Sequence, residues 1–159
     1  MILETIARFL CGDTIKKEKY MKACEIYKTS KELKIATMYK TDAGWYISDE
    51  PVFILSIDSS KEELLESISQ AISASKLIKN PSNYSSKLLL QKLKEKSFKT
   101  LYQSSVSCSL YIEENNAEIE PMIYSEKYKC LEPDENRIIK LQNFTKEELM
   151  NEIYKILEL

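Results

Sequence analysis

Histidine is absent from this 159-residue sequence, and its absence narrows the chemistry that the chain can perform. Without histidine there is no Ser-His-Asp or Cys-His catalysis, and the commonest zinc ligand is missing. Carboxylate chemistry stays open, but no recognisable catalytic constellation is present. We therefore expect a protein that is not an enzyme, with no catalytic residues, no metal site and no cofactor.

Glycine, proline and long apolar runs are also scarce. Two glycines and four prolines in the whole chain argue against long flexible linkers. The apolar runs span a handful of residues, whereas a membrane helix needs about 20. Glu4 and Arg8 interrupt the apolar N-terminus, and no basic stretch precedes it as in a signal peptide. These features predict a single cytoplasmic domain that does not contact a membrane.

The four cysteines lie far apart, at positions 11, 24, 108 and 130, and form no C-x-x-C pair. Because no signal peptide is evident, reduced thiols are expected rather than disulfides. Cys24 and Cys108 fall on the apolar faces of two predicted strands. They are interpreted as small buried hydrophobic residues.

The charges are arranged in blocks although the net charge is only −2. Residues 1–40 and 76–100 are basic, whereas residues 41–75 and 101–159 are acidic. A nucleic-acid-binding protein usually presents a dominant basic surface, which this pattern does not indicate. The lysines over residues 87–99 spread around a predicted helix and are interpreted as a solvated face. The acidic blocks favour a basic protein partner over a nucleic acid.

Alternating and helical periodicities predict an α+β fold. Period-two alternation over residues 33–39 and 105–112 is typical of strands, and further strands are expected at 23–27, 45–48, 52–57, 117–124 and 137–141. Helices are expected after Ser59, after Ser85 or Ser86, over residues 98–102, and after Thr145, with capping boxes at the first and last. Pro51 should end one strand, residues 52–57 should form a central strand, and Pro121 should mark an edge or a bulge. The prediction is one domain with a mostly antiparallel sheet packed with helices.

A series of short motifs follows in a fixed order from residue 23 onward. A short hairpin precedes Gly44-Trp45, then come Glu50-Pro51-Val52, a Ser-Ser capping pair, Glu62-Glu63-Leu64 and an Ala-Ser-Lys helix end. Weaker matches lie at 97–101, 119–122 and 145–149. In this order the motifs resemble the immunity-protein family of contact-dependent growth inhibition systems. Residues 23–159 would be the immunity-protein domain, and residues 1–22 an N-terminal extension.

This resemblance implies a protein that binds and neutralises one toxin. The toxin would be the C-terminal domain of a large exported protein from a neighbouring cell, commonly a nuclease that cleaves RNA. The family pattern transfers no catalytic residue. Two other classes stay open from the residues alone: a scaffolding or adaptor domain, and a carboxylate-dependent hydrolase.

Two acidic segments are candidates for contact with a basic toxin. The first is a hairpin whose carboxylates lie beside a thioether and a phenol; its residues are Glu113, Glu114, Glu118, Glu120, Met122 and Tyr124. Alternation should point Glu118 and Glu120 away from Ile119 and Ile123, which should face inward. The second is a loop pair with Asp42, Trp45, Asp49 and Glu50. The alternatives are an ordinary solvated face for the hairpin and a core position for Trp45.

Overall fold

A computed structural model describes residues 20–79, 81 and 84–159, which form eight strands and four α-helices. The strands are β1 (Lys22–Lys28), β2 (Glu32–Thr41), β3 (Tyr46–Ser56), β4 (Leu77–Ile78), β5 (Val106–Glu113), β6 (Asn116–Ser125), β7 (Cys130–Pro133) and β8 (Ile139–Gln142). The helices are α1 (Lys61–Ala74), α2 (Ser86–Leu93), α3 (Phe98–Ser104) and α4 (Lys146–Ile156), and a 3-10 turn spans Glu135–Arg137.

All strands join one sheet in the order β3-β2-β1-β5-β6-β7, and every neighbour along this path is antiparallel. The short strand β4 runs parallel to β2, and β8 pairs with β6 beside β7. The predicted α+β fold with a mostly antiparallel sheet is therefore confirmed. Strand β1 lies near the middle of the sheet, so both of its faces are available for packing.

One face of the sheet, called the helix face below, carries the main core. From β1, Cys24 and Ile26 point to this face, and α1 and α4 cover it with their apolar stripes. Cys108 of β5 joins the same core, so the predicted burial of Cys24 and Cys108 is confirmed and both thiols are free. Burial raises the pKa of the Cys108 thiol to about 12, which keeps it in the neutral form.

The opposite face, called the tyrosine face below, has a smaller core. Tyr27 and Ala36 pack there against three leucines of α2 and α3, which are Leu89, Leu93 and Leu101. The rings of Tyr27 and Tyr102 stack at a centroid distance of 6.2 Å. These two short helices cover part of the face, and polar side chains occupy the remainder.

Capping residues set the start of each helix, and one prediction is wrong by one residue. Ser60, rather than Ser59, caps α1: its Oγ accepts from the Glu63 amide at 3.2 Å, and the Glu63 carboxylate accepts from the Ser60 amide at 2.9 Å. Two serines and two glutamates in a row allow the box in either register. The predicted Thr145 cap of α4 is confirmed, since its Oγ1 accepts from the Glu148 amide.

Strand β3 differs from the prediction in two ways. It continues through Pro51 instead of ending there. The register with β2 shifts between Ala36 and Thr37, so Glu50 and Pro51 lie in a bulge of β3. At that position the missing amide proton of proline costs no hydrogen bond of the ladder. The strand is also the outermost of the sheet rather than a central one. Its residues 52–57 are apolar on both sides because Val52 packs on the α2–α3 side while Phe53 packs on the helix face.

The far end of β6 also departs from the prediction. Pro121 lies between the segment of β6 that pairs with β8 and the segment that pairs with β7. Neither of these pairings includes Pro121, so its lack of an amide proton is accommodated within the sheet and not at an outer edge. The predicted loop after β6 contains β7, whose residues have mixed polarity and gave no period-two signal. Ile123 was expected inward but is half exposed, because the core of the helix face ends at Ile119.

Lys34 is a buried cation that connects β2 with the C-terminal end of α2. Its ammonium donates to the Leu93 carbonyl oxygen at 2.6 Å and to the Glu95 carboxylate, and Glu32 lies at 3.4 Å. The carbonyl at the C-terminus of a helix lacks an intrahelical partner, and a cation there also complements the helix dipole. Lys34 therefore stabilises the position of α2 on the tyrosine face.

We expect the substitution Lys34→Met to destabilise the fold by about 3 kcal/mol, because it leaves the partly buried Glu95 carboxylate and the Leu93 carbonyl without their cation. Urea unfolding followed by far-UV circular dichroism would measure the loss. Lys31→Met, at an exposed position of the preceding turn, is the matched control and should change stability by less than about 0.5 kcal/mol. Equal stability of the two variants would contradict the role assigned to Lys34.

Candidate functional site

The acidic hairpin lies where β5 turns into β6. Glu114 occupies the turn with a left-handed φ of 54° and is exposed, whereas Glu113 at the end of β5 is half-buried. Glu118 and Glu120 follow on β6, and their side chains point to the tyrosine face, opposite to the buried Ile119. The predicted facing of these two carboxylates is thus confirmed, although both are half-buried rather than fully exposed.

Glu118 and Glu120 interact with each other as well as with their neighbours. Glu118 lies 3.8 Å from the ammonium of Lys140 on β8. Burial raises the pKa of Glu120, and the carboxylate of Glu118 raises it further, while a hydrogen bond from Tyr111 acts in the opposite direction. The surroundings of Glu120 therefore disfavour its charged form.

Met122 and Tyr124 lie further along the same strand face, but the structure does not bring them to the open part of that face. Met122 is opposite Ser107 of β5 and Pro133 of β7. The phenol oxygen of Tyr124 is buried and has no hydrogen-bond partner. These two side chains are part of the packing near β7 and not of an exposed strip.

The second acidic group begins at the turn between β2 and β3. Asp42 is exposed in this turn, and Gly44 takes a φ of 99° that favours glycine. Trp45 follows, with 59% of its surface exposed, so the prediction of a core position is wrong. The carbonyl of Trp45 accepts hydrogen bonds from the Thr41 amide and hydroxyl, while its side chain stays exposed.

Asp49 and Glu50 have a different environment from Asp42. The ammonium of Lys92 on α2 lies 3.3 Å from the Asp49 carboxylate and 3.2 Å from that of Glu50. Burial acts to lower the pKa of Lys92, but the hydrogen bonds and charges of Asp49 and Glu50 outweigh it and raise the pKa overall. The expectation of a wholly solvated lysine face is therefore wrong at Lys92, and two of the three acids in this group are already paired.

Strand register brings the two predicted groups to the same end of the sheet. Lys22, at the start of β1, is opposite Ile112 near the end of β5, and Ala23 is opposite Met38 near the end of β2. The β2–β3 turn and the β5–β6 turn therefore leave the same end of the sheet, one on each side of β1. The rings of Tyr46 and Tyr111 meet edge to face at 5.3 Å above the two strands between them.

Glu25 is the central residue of this region, and sequence reasoning missed it. It lies in β1 between Cys24 and Ile26, so it points to the tyrosine face, where the Tyr27 hydroxyl donates to its Oε2 at 2.6 Å. Burial raises the pKa of Glu25, while hydrogen bonds from Tyr27 and Ser48 act in the opposite direction. The sequence held one signal for this site, a charged residue between the apolar residues in the middle of β1.

Tyrosines surround this carboxyl group. The pKa of Tyr111 is raised, first by burial and then by the charge of Glu120, with Glu25 contributing. Burial raises the pKa of Tyr84 as well, again with a contribution from Glu25. We call Glu25, Tyr46, Tyr84, Tyr111 and Glu120 the tyrosine site. Its phenols stay protonated near neutral pH and can donate hydrogen bonds.

Within the described residues, no group of histidine, cysteine, aspartate or glutamate side chains is arranged to hold a metal ion. In that same part of the chain, no helix is long and apolar enough to cross a membrane. The site offers carboxylates, phenols and an exposed indole, which are groups that bind other molecules.

Comparison with known proteins identifies the fold. No protein-family model matches the chain, and no curated sequence matches it. Among solved structures, a protein of unknown function from Neisseria meningitidis superposes with a TM-score of 0.67 at 15% identity, covering 91% of this chain and 97% of the other. A chain of a CdiA-CT/CdiI toxin and immunity complex from Yersinia pseudotuberculosis superposes with a TM-score of 0.62 at 14% identity, covering 87% and 96%. At these identities the likeness establishes a shared fold.

The raised pKa of Glu25 leads to a prediction about how the stability of the fold depends on pH. A carboxyl group whose pKa is higher in the folded than in the unfolded state contributes stability at low pH and loses it as the pH rises through the folded pKa. Glu25→Gln should therefore raise stability at pH 7 by about 1 kcal/mol, a typical single-substitution effect, and the gain should shrink towards pH 4.

Thermal unfolding of the variant and the wild type across this pH range would measure the gain. Glu66→Gln on the exposed side of α1 is the control and should show no such trend. A Glu25→Gln variant that is less stable than the wild type at pH 7 would show that the carboxylate is stabilised in the fold rather than strained.

Proposed function

We propose that this protein is an immunity protein, which binds and neutralises the toxin domain of a contact-dependent growth inhibition system. The observation that carries the proposal is the fold shared over nearly the whole chain with a chain of a toxin and immunity complex. The ordered motifs of the sequence point to the same family. The proposal includes a cytoplasmic location, where such a toxin would act, and a binding role without catalysis.

The proposed contact surface is the end of the sheet that carries both the β2–β3 and the β5–β6 turns. A toxin that cleaves RNA needs a basic cleft to hold phosphates, and carboxylates can occupy such a cleft and repel the substrate. Glu113, Glu114 and Glu118 provide this charge on one side. Asp42 and Trp45 provide charge and an exposed aromatic ring on the other, and tryptophan is enriched among residues that dominate binding energy.

Asp49 and Glu50 take a secondary place in this proposal. Both carboxylates contact Lys92, so a toxin cation would have to displace that ammonium before it could pair with them. The exposed pair is worth little in stability and the displacement is feasible, but the net gain for binding is small. Met122 and Tyr124 are left out of the surface because they pack near β7.

The domain proposal follows the same division as the motifs. Strand β1 begins at Lys22, so residues 23–159 contain almost all of the described sheet and helices. We propose that these residues form the toxin-binding domain. The extension of residues 1–22 lies mostly outside the described residues.

The proposal predicts that the chain binds the domain encoded immediately upstream of its own gene and abolishes the toxicity of that domain. Co-expression and co-purification of the two would measure binding, and cell growth with and without this chain would measure protection. A toxin domain that is fully active and unbound in the presence of this chain would refute the immunity function.

Charge at the proposed surface should act mainly on the rate of association. Replacing Glu114 and Glu118 with lysine should slow association with that toxin domain about tenfold at low salt, because electrostatic steering is lost. The difference should shrink as salt is added, since charges are screened over about 8 Å at physiological ionic strength. Stopped-flow or surface plasmon resonance at several salt concentrations would measure both effects.

The double variant Glu66→Lys/Glu158→Lys is the matched control. It makes the same change in net charge at two exposed positions, one on α1 and one just after the end of α4, and Glu158 has a left-handed φ of 57° like that of Glu114. It should associate at close to the wild-type rate. If both double variants slow association equally, net charge rather than this surface governs the encounter.

A further inference from the structure

A surface groove of about 470 Å³ lies between α1 and α4 on the helix face. Its described lining comes from the first two turns of each helix. The apolar side chains of Leu65 and Met150 are almost fully buried and form the floor. Exposed residues form the rim, and these are Lys61, Glu62, Lys146, Glu147 and Asn151. Because lysine stems are apolar and only their ammonium groups need water, the walls of the groove are apolar as well.

The two ends of the groove differ. At one end the Lys61 ammonium lies 4.7 Å from the centre of the Tyr154 ring, so the lysine stem crosses from α1 to α4. The other end is at the start of α4, just after Phe144, whose amide donates to the Asn115 carbonyl oxygen in the β5–β6 turn at 3.4 Å. This second end therefore lies at the end of the sheet where β1 begins, because β1 begins opposite the last residues of β5.

The chain enters the sheet within reach of the groove. The Lys22 ammonium donates to the Ser73 carbonyl oxygen at 3.4 Å, so β1 begins beside the C-terminal end of α1. At 1.5 Å per residue, Leu65 is about 12 Å from Ser73 along the axis of α1. Residues 11–19 can span about 30 Å when they are extended. They are therefore long enough to bring residues 2–10 into the groove.

Residues 2–10 lie outside the described residues, and their sequence predicts an amphipathic helix. Apolar residues recur at spacings of three and four and share one stripe, and these are Ile2, Leu3, Ile6, Phe9 and Leu10. Glu4 and Arg8 fall on the opposite side, one turn apart in the order that favours a helix, and Gly12 follows as a stop signal. Helices shorter than about 12–15 residues are marginal in water without tertiary packing. The segment therefore needs an apolar surface on which to pack.

We propose that residues 2–10 dock as a short helix in the groove between α1 and α4 of their own chain, with the apolar stripe on Leu65 and Met150. Docking buries the stripe and gives the helix face a third covering helix, while Glu4 and Arg8 stay in water. The inference assigns a role to the N-terminal extension and is independent of the immunity function. It places the extension on the helix face and leaves the tyrosine face to a partner.

A spin label on the full-length chain tests where the extension lies. In a Cys130→Ser background a nitroxide reagent is directed to the thiol of Cys11, because Cys24 and Cys108 are buried. The methyl signals of carbon-13-labelled methionines then report how close each methionine is to the label. Docking in the groove should broaden the Met150 signal strongly.

Three comparisons make this result specific. The Met122 signal should be broadened much less, because Met122 lies on the tyrosine face, on the other side of the sheet. Ile6→Ser, which interrupts the apolar stripe, should restore the Met150 signal. Arg8→Ser introduces the same side chain on the opposite side of the predicted helix and should leave the Met150 signal broadened.

Proteolysis measures docking without a label. Docking should slow tryptic cleavage after Arg8 about tenfold, since cleavage follows the population of the open form. Asn151→Trp places an indole ring at the rim of the groove and should restore fast cleavage. Gln70→Trp adds the same ring at an exposed position of α1 outside the groove and should not. Mass spectrometry of the early digestion products would measure the rates.

A Met150 signal that is not broadened by the label, or equal cleavage after Arg8 in the wild type and in Asn151→Trp, would overturn the proposal. A mixture of spin-labelled chains with separate carbon-13-labelled chains tests the other occupant, a second copy. Broadening of Met150 in that mixture would show that the segment docks on another chain and would overturn docking within one chain. None of these measurements uses the toxin, so their outcome is separate from that of the immunity function.

Discussion

Strand β1 has to bury both of its faces, and the placement of the helices follows from that requirement. It lies between β2 and β5 in the sheet, and its side chains alternate between two environments. Cys24 and Ile26 need an apolar cover, which the stripes of α1 and α4 provide. Tyr27 needs a second cover on the other side, and the leucines of α2 and α3 provide it. A sheet with only one covered face would leave this phenol ring in water.

The two covers are unequal in extent, and the polar part of the tyrosine face is a consequence of this inequality. Helices α2 and α3 are seven or eight residues long and reach only one part of their face. Beyond their reach the same strands carry carboxylates, serines and tyrosines rather than leucines. Lys34 fixes how far α2 extends, because it binds the carbonyl end of that helix. The open region is thus set by the length and anchoring of two short helices.

Period and capping were sufficient to predict most of the fold. The alternation over β5 identified both its buried and its polar side, and Ser and Thr caps marked the helix starts within a residue. Strand order and exposure, which depend on distant parts of the chain, could not be predicted in this way. The position of β3 at the outside of the sheet depends on strand order, and the exposure of Trp45 depends on which elements pack against its turn. Neither quantity is encoded in a local pattern.

The residues of the candidate site also fall into two groups: those that could be predicted from neighbouring sequence and those that depend on strand pairing. Acidic side chains of the β5–β6 hairpin could be predicted because they are adjacent in the chain and alternate in facing. Glu25 could not be linked to them, because only the pairing of β1 with β5 brings it opposite Ser109 and beside Tyr111. Similarly, no local signal connects Lys92 with Asp49 across 43 residues, yet that contact decides which acids remain available.

The irregular register of β3 has a consequence for the protein in a crowded cell. An outermost strand offers unpaired amides and carbonyls to other extended chains, and regular edges of this kind promote aggregation. Here the register shift and Pro51, which lacks an amide proton, interrupt the hydrogen-bonding pattern in the middle of the strand. A second sheet cannot add along its full length. The same interruption limits the pairing of two copies of the chain through this strand.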